Sequence, residues 1–496
     1  MNDSNSNSHF GFNWSGGQER ESRQRGLLAR VTEMSPLSHN CNLYFCARTG
    51  MSWGMNARGF DHLIGRMRAV AAGLPDRRTG DNRRFTMADI ALSAFAVFFT
   101  QCPSFLSFQQ AMEQARGGNN ARSLFQVARI PTDNHIRQML DPVEPQHLFG
   151  LFDDLHQAFD QMGLLEAMRA VGRTRLIALD ATWYFSSQSK NIHCPNCSCL
   201  RHADGQTTHF HSAITPVIVS PGHAQVVPLR PEFITPQDGQ VKQDCEINAA
   251  KRWLAAHAAR YATGNDTLLG DDLYAHQPFC RQVLLHGFHF LFTCKPASHA
   301  SLHQWVEALE PGRDLPTLKR RVKGQGNRWE HHQYRWANGV PLTDSEDALK
   351  VNWCELSVTD AEAKVLYHNT FITDWQVSAD NVAGLVAAGR ARWKIENESN
   401  NVLKNRGYHL EHNFGHGKQH LASLLATLNL LAFGLHTLLE LADESYRLIR
   451  ATVGARRRFF QHLEALTTYW HFETWERLMD FMMRGLEIGP YAVQKS

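Results

Sequence analysis

Hydrophobic and polar positions divide the chain into stretches of different period. Residues 1 to about 35 are polar, charged and rich in Gly and Ser, which predicts a flexible segment. From Phe60 to Val70 apolar residues recur at helical spacing. After the loop LPDRRTGDNRR, Thr86 to Phe99 reads as a strongly apolar helix with Thr86 as N-cap, and Ser104 to Arg116 as another. The stretch ARSLFQVARIPTDNHIRQMLDPV reads as helix, turn, helix, with Pro131 closing the first piece and Thr132 or Asp133 capping the second. His135, Arg137 and Gln138 would line its outer side, as on a DNA-reading helix or in an ordinary helical hairpin.

From Arg173 the pattern changes to strands. RLIALDATWYF is apolar on both sides of Asp180, as a central strand should be, and THFHSAITPVIV and AQVVPL are further strand candidates. A helix from Cys245 to Tyr261, the short strand TLLG leading to Asp271, a helix from Gln277 to Leu285 and the strand HFLFTC follow. This order predicts a mixed sheet covered by helices. Residues 296 to about 350 are polar and basic, and precede two strand-like runs, VNWCELSV and KVLYHNTFIT. The segment ARWKIENESNNVLK, Ala391 to Lys404, then predicts a helix with Arg392 and Glu396 on one face and Trp393 and Ile395 as core anchors. Leu421 to Leu441 has the length of a membrane span, but Asn429, His436 and Glu440 within it favour a buried core helix. The last fifty residues read as helical.

A chain of 496 residues is too long for one compact core, so two to four structural units are expected. A net charge of +3 does not by itself demand a nucleic-acid partner. Basic residues nevertheless cluster at Arg20 to Arg30, Arg77 to Arg84, Lys319 to Lys323 and Arg456 to Arg458. Such clusters neutralise phosphates or form solvated faces. Most of the ten cysteines are scattered singly, and the first residues, MNDSNSNS, are polar, which together predict a reduced, cytoplasmic protein. The exception is NIHCPNCSCLRH, where Cys194 and Cys197 have the spacing of a zinc hairpin. Cys199 and His202 are the further ligands expected, with His193, His209 and His211 as other candidates, and a cluster of reduced thiols is the alternative. The His-rich peptide YHLEHNFGHGKQH reads as a loop between two helices, plain and polar or engaged with DNA or metal.

Three acids stand on separate elements: Asp180 and Asp271 at strand ends and Glu396 on a helix. Such a set can hold two Mg (or Mn) ions for in-line displacement at phosphorus. Asp272 and Glu398 compete for the second and third places.

These segments resemble the DDE transposases of bacterial insertion sequences, in the branch with a Tyr-Arg-Glu-Lys signature. RWKIE, Arg392 to Glu396, matches the signature, LIALDAT and LLGDDLYAH look like the strands carrying the first two acids, and TDW at Thr373 to Trp375 also fits. The resemblance spans roughly residues 173 to 440. It implies an α/β, ribonuclease H-like fold: a mixed five-stranded sheet with flanking helices, a mostly helical N-terminal region and a β-rich insertion. The organisation expected is a flexible 1–35, a helical DNA-binding 36–165, core parts 170–295 (with the zinc hairpin at 193–211) and 371–445, the basic insertion 296–370 and a helical 446–496. Asp180, Asp271 and Glu396 would be the catalytic metal ligands, and Arg392 would contact the DNA backbone near the scissile phosphate, with Lys404 and the insertion's Lys319, Arg320 and Arg321 as further DNA contacts. The implied partners are terminal inverted repeats and target DNA, bound by a homodimer in a bacterial, nucleoid-associated setting without a membrane. A nuclease on the same fold, or an inactive DNA-binding descendant, are the rival functions. Two positions depart from the signature: Gly389 stands at its Tyr, and Leu403 at its Lys with Lys404 beside it.

Overall fold

The computed structural model describes residues 57–80, 83–113, 119–189, 192, 194–236, 246–309, 315–324 and 328–492. All belong to one compact unit, Met55–Ser496, so the boundaries expected near 165, 295, 370 and 445 fall inside it. The expected flexible segment 1–35, the Arg20 to Arg30 cluster, Cys41, Cys46, Cys245 and His193 lie outside the described residues.

The chain begins with helices α1 (Ala57–Ala72), α2 (Met87–Phe99), α3 (Phe105–Glu113), α4 (Asn120–Phe125), α5 (Asp133–Leu140), α6 (Gly150–Gln161) and α7 (Leu164–Ala167). The α2 cap is as expected: Thr86 Oγ1 accepts the Asp89 N–H at 3.0 Å. Helices α4 and α5 are both present as read, but each packs on α2 rather than forming a hairpin with the other, and the outer face of α5 is partly used within the chain. Arg137 donates from Nε to the Phe414 carbonyl at 2.6 Å and pairs with Asp133 at 2.9 Å.

The strands are β1 (Arg175–Ala178), β2 (Ala181–Ser187), β3 (Ser198–Arg201), β4 (Thr207–Ile214), β5 (Val217–Ser220), β6 (His223–Pro228) and β7 (Glu232–Ile234). Helix α8 (Glu246–Tyr261), β8 (Asp266–Gly270), α9 (Gln277–Leu285), β9 (His289–Thr293) and α10 (Ala300–Ala308) follow. A meander of β10 (Thr317–Lys323), β11 (Trp329–Pro341), β12 (Lys350–Thr359) and β13 (Val365–Thr373) comes next. The fold is mixed α/β, and its main sheet has nine strands, not five, in the order β10-β11-β12-β13-β9-β8-β1-β5-β6. Strands β1, β8 and β9 are parallel, while β5 is antiparallel to β1 and β6 to β5. The insertion does not stand apart, because β13 pairs with β9 through Phe371 to Thr373 and so occupies an edge that would otherwise expose unpaired backbone groups.

Two runs that read as single strands each break between sheets. RLIALDATWYF passes from β1 in the large sheet to β2 in a four-stranded sheet of β2, β3, β4 and β7, with Asp180 at the break. THFHSAITPVIV breaks between Ile214 and Val217, where Pro216 has no N–H for a ladder. The breaks face each other, since the Thr215 N–H donates to the Asp180 carbonyl at 3.2 Å.

Helix α11 (Val382–Arg390) leads into a π-helical turn, Ile395–Asn400, and then α12 (Asn401–Asn405). The chain closes with α13 (Leu421–Ala442), α14 (Glu444–Val453), α15 (Arg456–Tyr469) and α16 (Trp475–Gly485). Helix α13 alone among the described residues is long and apolar enough to cross a membrane, and it is buried inside the chain as the core helix expected. Arg456 of the last basic cluster is also committed internally, donating to Tyr408 Oη at 2.9 Å and pairing with Glu440 at 3.3 Å.

A buried ion pair anchors the parallel strands at their beginnings. Arg175 on β1 stands opposite Asp266 on β8 and donates from Nε to its Oδ1 at 2.5 Å. The remaining valences are used too. Arg175 reaches the Tyr261 carbonyl and Thr263 Oγ1 at 3.1 Å, and Asp266 Oδ2 accepts the Thr263 N–H and hydroxyl at 2.7 Å. Removing one partner strands a buried charge. Asp266→Ala is therefore expected to lower unfolding stability by about 3–5 kcal/mol, against under about 1 kcal/mol for Asp154→Ala, whose partner Arg66 is half-exposed. Urea unfolding monitored by tryptophan fluorescence checks this, and equal losses would contradict it.

Candidate functional site

The parallel register carries two acids to the same end of the sheet. Pairing runs from Arg175↔Asp266 to Ala178↔Leu269, and the Leu179 N–H donates to the Leu269 carbonyl at 2.9 Å. Continued past the strand ends, the same offset sets Asp180 beside Asp271, on neighbouring strands about 4.8 Å apart. Carboxyl ends of parallel strands are where crevices open in α/β sheets. Gly270 makes the end compact, since a Cβ there would lie 2.8 Å from the Tyr274 ring. Tyr274 in turn donates its hydroxyl to Glu246 Oε1, at the start of α8.

The adjacent acids Asp271 and Asp272 do different things. Asp271 Oδ1 accepts the Leu273 N–H at 2.9 Å. Asp272 is bound to the segment after β9: it accepts the Lys295 N–H at 2.6 Å and the Ser298 hydroxyl, and lies 3.5 Å from His299 Nε2.

Glu396 sits on the π turn, where the Asn401 N–H reaches back five residues to the Glu396 carbonyl. The turn is pinned from beneath. Ile395 is fully buried, and the Lys394 ammonium donates to the carbonyls of Ser220, Pro221 and His223 at the β5–β6 turn. Trp393, expected in the core, is 46% exposed, because Ala391 and Ile395, four apart, take the buried face. Glu396 pairs with Arg392 at 2.8 Å. Asn400, at the end of the turn, donates from Nδ2 to Asp180 Oδ2 at 3.1 Å and accepts the Thr215 hydroxyl at 3.1 Å. Glu398 lies instead among Lys394, Glu440, Arg406 and Arg456, with burial raising its pKa.

Electrostatics tie these groups together. Burial pushes the Asp180 carboxyl up to about 7, and the charges of Glu246, Glu396 and Asp271 push the same way against Arg392. Glu246 is itself raised by burial and by Asp271. Sequence reasoning missed Glu246, since an acid opening a helix reads as a partner for the helix dipole.

The basic residues of the insertion are elsewhere. Lys319, Arg320 and Arg321 lie on β10, six strand positions from β1, about 29 Å at strand spacing in a flat sheet. They border a cavity of about 450 Å³ with His331, His332, Gln333, Ser357 and Thr359. The Arg321 guanidinium stacks over the Trp329 ring at 4.3 Å. Lys404 pairs with Glu411 at 2.8 Å, and Leu403 is fully buried.

A second cluster joins Cys194, Cys197, His211 and His416, whose ligand atoms all lie within 4.8 Å of one another and can hold a metal ion. The Cys194 thiol is held below its ordinary range by hydrogen bonds with the Cys197 thiol and the two imidazoles. Cys199 and His202, expected as ligands, are outside the cluster. Cys199 faces His209 in the β3–β4 register, with Sγ 3.2 Å from its Nδ1, and His202 Nε2 meets Thr208 Oγ1 at 2.8 Å. The same register extended places His211 opposite Cys197, so Cys199 lies two residues further along, about 7 Å away. His416 comes from the His-rich peptide that read as a loop, and no spacing rule links it to Cys197, 219 residues earlier.

The chain matches no family model and no curated protein.

The raised Asp180 pKa predicts a pH dependence. Asp180 titrates near 7 when folded and near its ordinary 3.8 when unfolded, so the folded state holds the extra proton and stability falls as pH rises between about 4 and 7. Without added Mg or Mn, Asp180→Asn should raise Tm above the wild type at about pH 8, with the gain vanishing near about pH 4. A Tm difference independent of pH would count against it.

Proposed function

We propose that the chain is a metal-dependent DNA strand-cleaving and strand-transferring enzyme, a DDE transposase of an insertion sequence, with Asp180, Asp271 and Glu396 as its catalytic acids. The observation that carries this reading is the β1–β8 register, which sets Asp180 beside Asp271 while the charge of Glu396 acts on Asp180. The order β6-β5-β1-β8-β9, with β1, β8 and β9 parallel, supports a ribonuclease H-like core. The β-rich segment between the second and third acids supports the same reading.

The acids fit divalent cations. Glu246, Glu396 and Asp271 all raise the Asp180 pKa against the single opposing charge of Arg392, so the group carries an excess of negative charge and offers hard oxygen ligands. Bound there, two Mg or Mn ions would stabilise the attacking and leaving oxygens of an in-line displacement. Asp180 must give up its proton to serve, and Asn400 keeps its carboxyl aimed by donating to Oδ2. Glu396 is held on a turn pinned by Ile395 and Lys394. Arg392, now paired with Glu396, is the cation nearest to hand for a DNA phosphate. In the first step water attacks the scissile phosphorus and the 3′ oxygen departs. In the second, that 3′ hydroxyl attacks target phosphorus and displaces a target 3′ oxygen. Two element ends must be paired, which calls for a homodimer on DNA.

Both departures from the signature have a physical account. At Gly389 a Cβ would lie 2.8 Å from the Phe371 ring, so Phe371 on β13 fills the space a Tyr would need. The π turn between Glu396 and Lys404 accommodates one extra residue. That shift sends Leu403 into the core and leaves Lys404, eight residues after Glu396, on the accessible side to meet a phosphate.

A cleavage assay with the gene's own flanking DNA and Mg or Mn tests the proposal. Wild type should nick at defined end positions and join the ends to target DNA. Asp180→Asn, Asp271→Asn and Glu396→Gln should each lose about 10²-fold or more, the scale of one lost charge-stabilising contact, while Glu398→Gln retains activity. Loss in Glu398→Gln with survival in Glu396→Gln would move the third ligand. Nicking without joining would favour a nuclease, and end binding without cleavage a DNA-binding descendant.

A further inference from the structure

We propose that Cys194, Cys197, His211 and His416 bind one structural zinc ion that fastens the β3–β4 hairpin to the loop following the helix of Glu396. The inference stands apart from the reading of the carboxylates. Its first support is the shape of the cluster. The two sulfurs are 3.5 Å apart, His211 Nε2 lies 3.5 and 3.3 Å from them, His416 Nε2 lies 3.2 Å from Cys197 Sγ, and the two nitrogens are 3.0 Å apart. A tetrahedral zinc with ordinary bond lengths has edges of about 3.8 Å between sulfurs, about 3.6 Å from sulfur to nitrogen and about 3.4 Å between nitrogens. Five edges are those of this tetrahedron contracted by a few tenths of an ångström, and the sixth, Cys194 to His416, lies within 4.8 Å.

The second support is orientation. His416 Nδ1 is 2.8 Å from the Gly417 carbonyl, which can only accept, so the ring proton sits on Nδ1 and the Nε2 lone pair faces the cluster. The third is burial. Cys194, Cys197 and His211 are buried, and no carboxylate is among the cluster's ligand atoms. Two thiolates and two imidazoles select zinc over hard cations, and four protein ligands leave no open position, which makes the site structural.

What the ion would do follows from where its ligands come from. Cys194 and Cys197 occupy the turn before β3 and His211 is on β4, whereas His416 belongs to the loop between α12 and α13. That loop is tied on its other side to the N-terminal helices. Asp141, directly after α5, accepts the N–H groups of Lys418, Gln419 and Leu421 at 2.9–3.3 Å, and its carbonyl accepts that of His420 at 3.0 Å. Asn196 Nδ2 donates to the Gln419 carbonyl at 3.0 Å beside the cluster. Zinc here is a clasp across three separate stretches of chain, not a knuckle closing one hairpin. Because the ligands are distant in sequence, binding free energy becomes folding free energy for the whole junction.

The test is metal content and stability of the full chain purified under reducing conditions. One zinc per chain is expected by elemental analysis. It should be lost in Cys194→Ser and Cys197→Ser and weakened in His416→Ala, but kept in Cys199→Ser and His202→Ala. Wild type stripped with a zinc-selective chelator should melt several degrees lower, become susceptible to protease at residues 415–420, and recover on adding zinc. Cobalt(II) in place of zinc should give the visible absorption of a tetrahedral thiolate site. Zinc retained at full affinity in His416→Ala but lost in Cys199→Ser or His202→Ala would overturn the clasp in favour of a hairpin knuckle. No zinc bound after reconstitution, or a mass two hydrogens lighter from a Cys194–Cys197 disulfide, would overturn the site altogether. Should the cysteine variants fail to fold, the chelator and cobalt measurements on wild type still decide.

Discussion

The pairing of Arg175 with Asp266 is the constraint on which the site end of the molecule depends. It is a buried charge pair, and its geometry fits the observed register of β1 against β8. Five residues on from each partner, just past the strand ends, stand Asp180 and Asp271. A slip of one residue would turn every side chain of β1 to the opposite face. It would also part the buried charges, so the cost of misalignment is paid at one end of the strands and its benefit is alignment at the other.

Around those two acids the chain accumulates more like charge than Arg392 offsets. Gly270 admits Tyr274, Tyr274 holds Glu246, and Glu246 raises the Asp180 pKa along with Glu396 and Asp271. A fold selected only for stability would place further cations or apolar groups here. The tension is confined to a rigid surround, with Asn400 and Lys394 fixing the helix against the sheet. Such partly relieved repulsion in a stiff frame is the physical basis for the proposed cation binding.

Much of this was legible in the sequence, and the failures have a common cause. The apolar runs announced β8, β9 and α13, and Thr86 announced the start of α2, because burial and capping are local. The breaks at Asp180 and at Pro216 were hidden, since each joins strands that continue in apolar pattern into a different sheet. The extension to nine strands depends on β13 meeting β9, a pairing that no local period encodes. Cys194 and Cys197 were visible through their spacing, whereas His416 and Glu246 reach their clusters only by tertiary contact. The π turn is the subtle case: residues 391–404 read as one helix, and the widened turn at Ile395–Asn400 shows only in the backbone.

Among the described residues β10 is a terminal strand of the nine-stranded sheet, paired on one side by β11. An open edge of this kind invites a second copy to add its own strand and begin a fibre. Lys319, Arg320, Arg321 and Lys323 follow one another closely along it. Two such edges brought together would set like charges face to face, which is unfavourable. Whatever else these residues contact, they act as a guard against self-templated aggregation, and they direct any orderly self-association to other surfaces of the molecule.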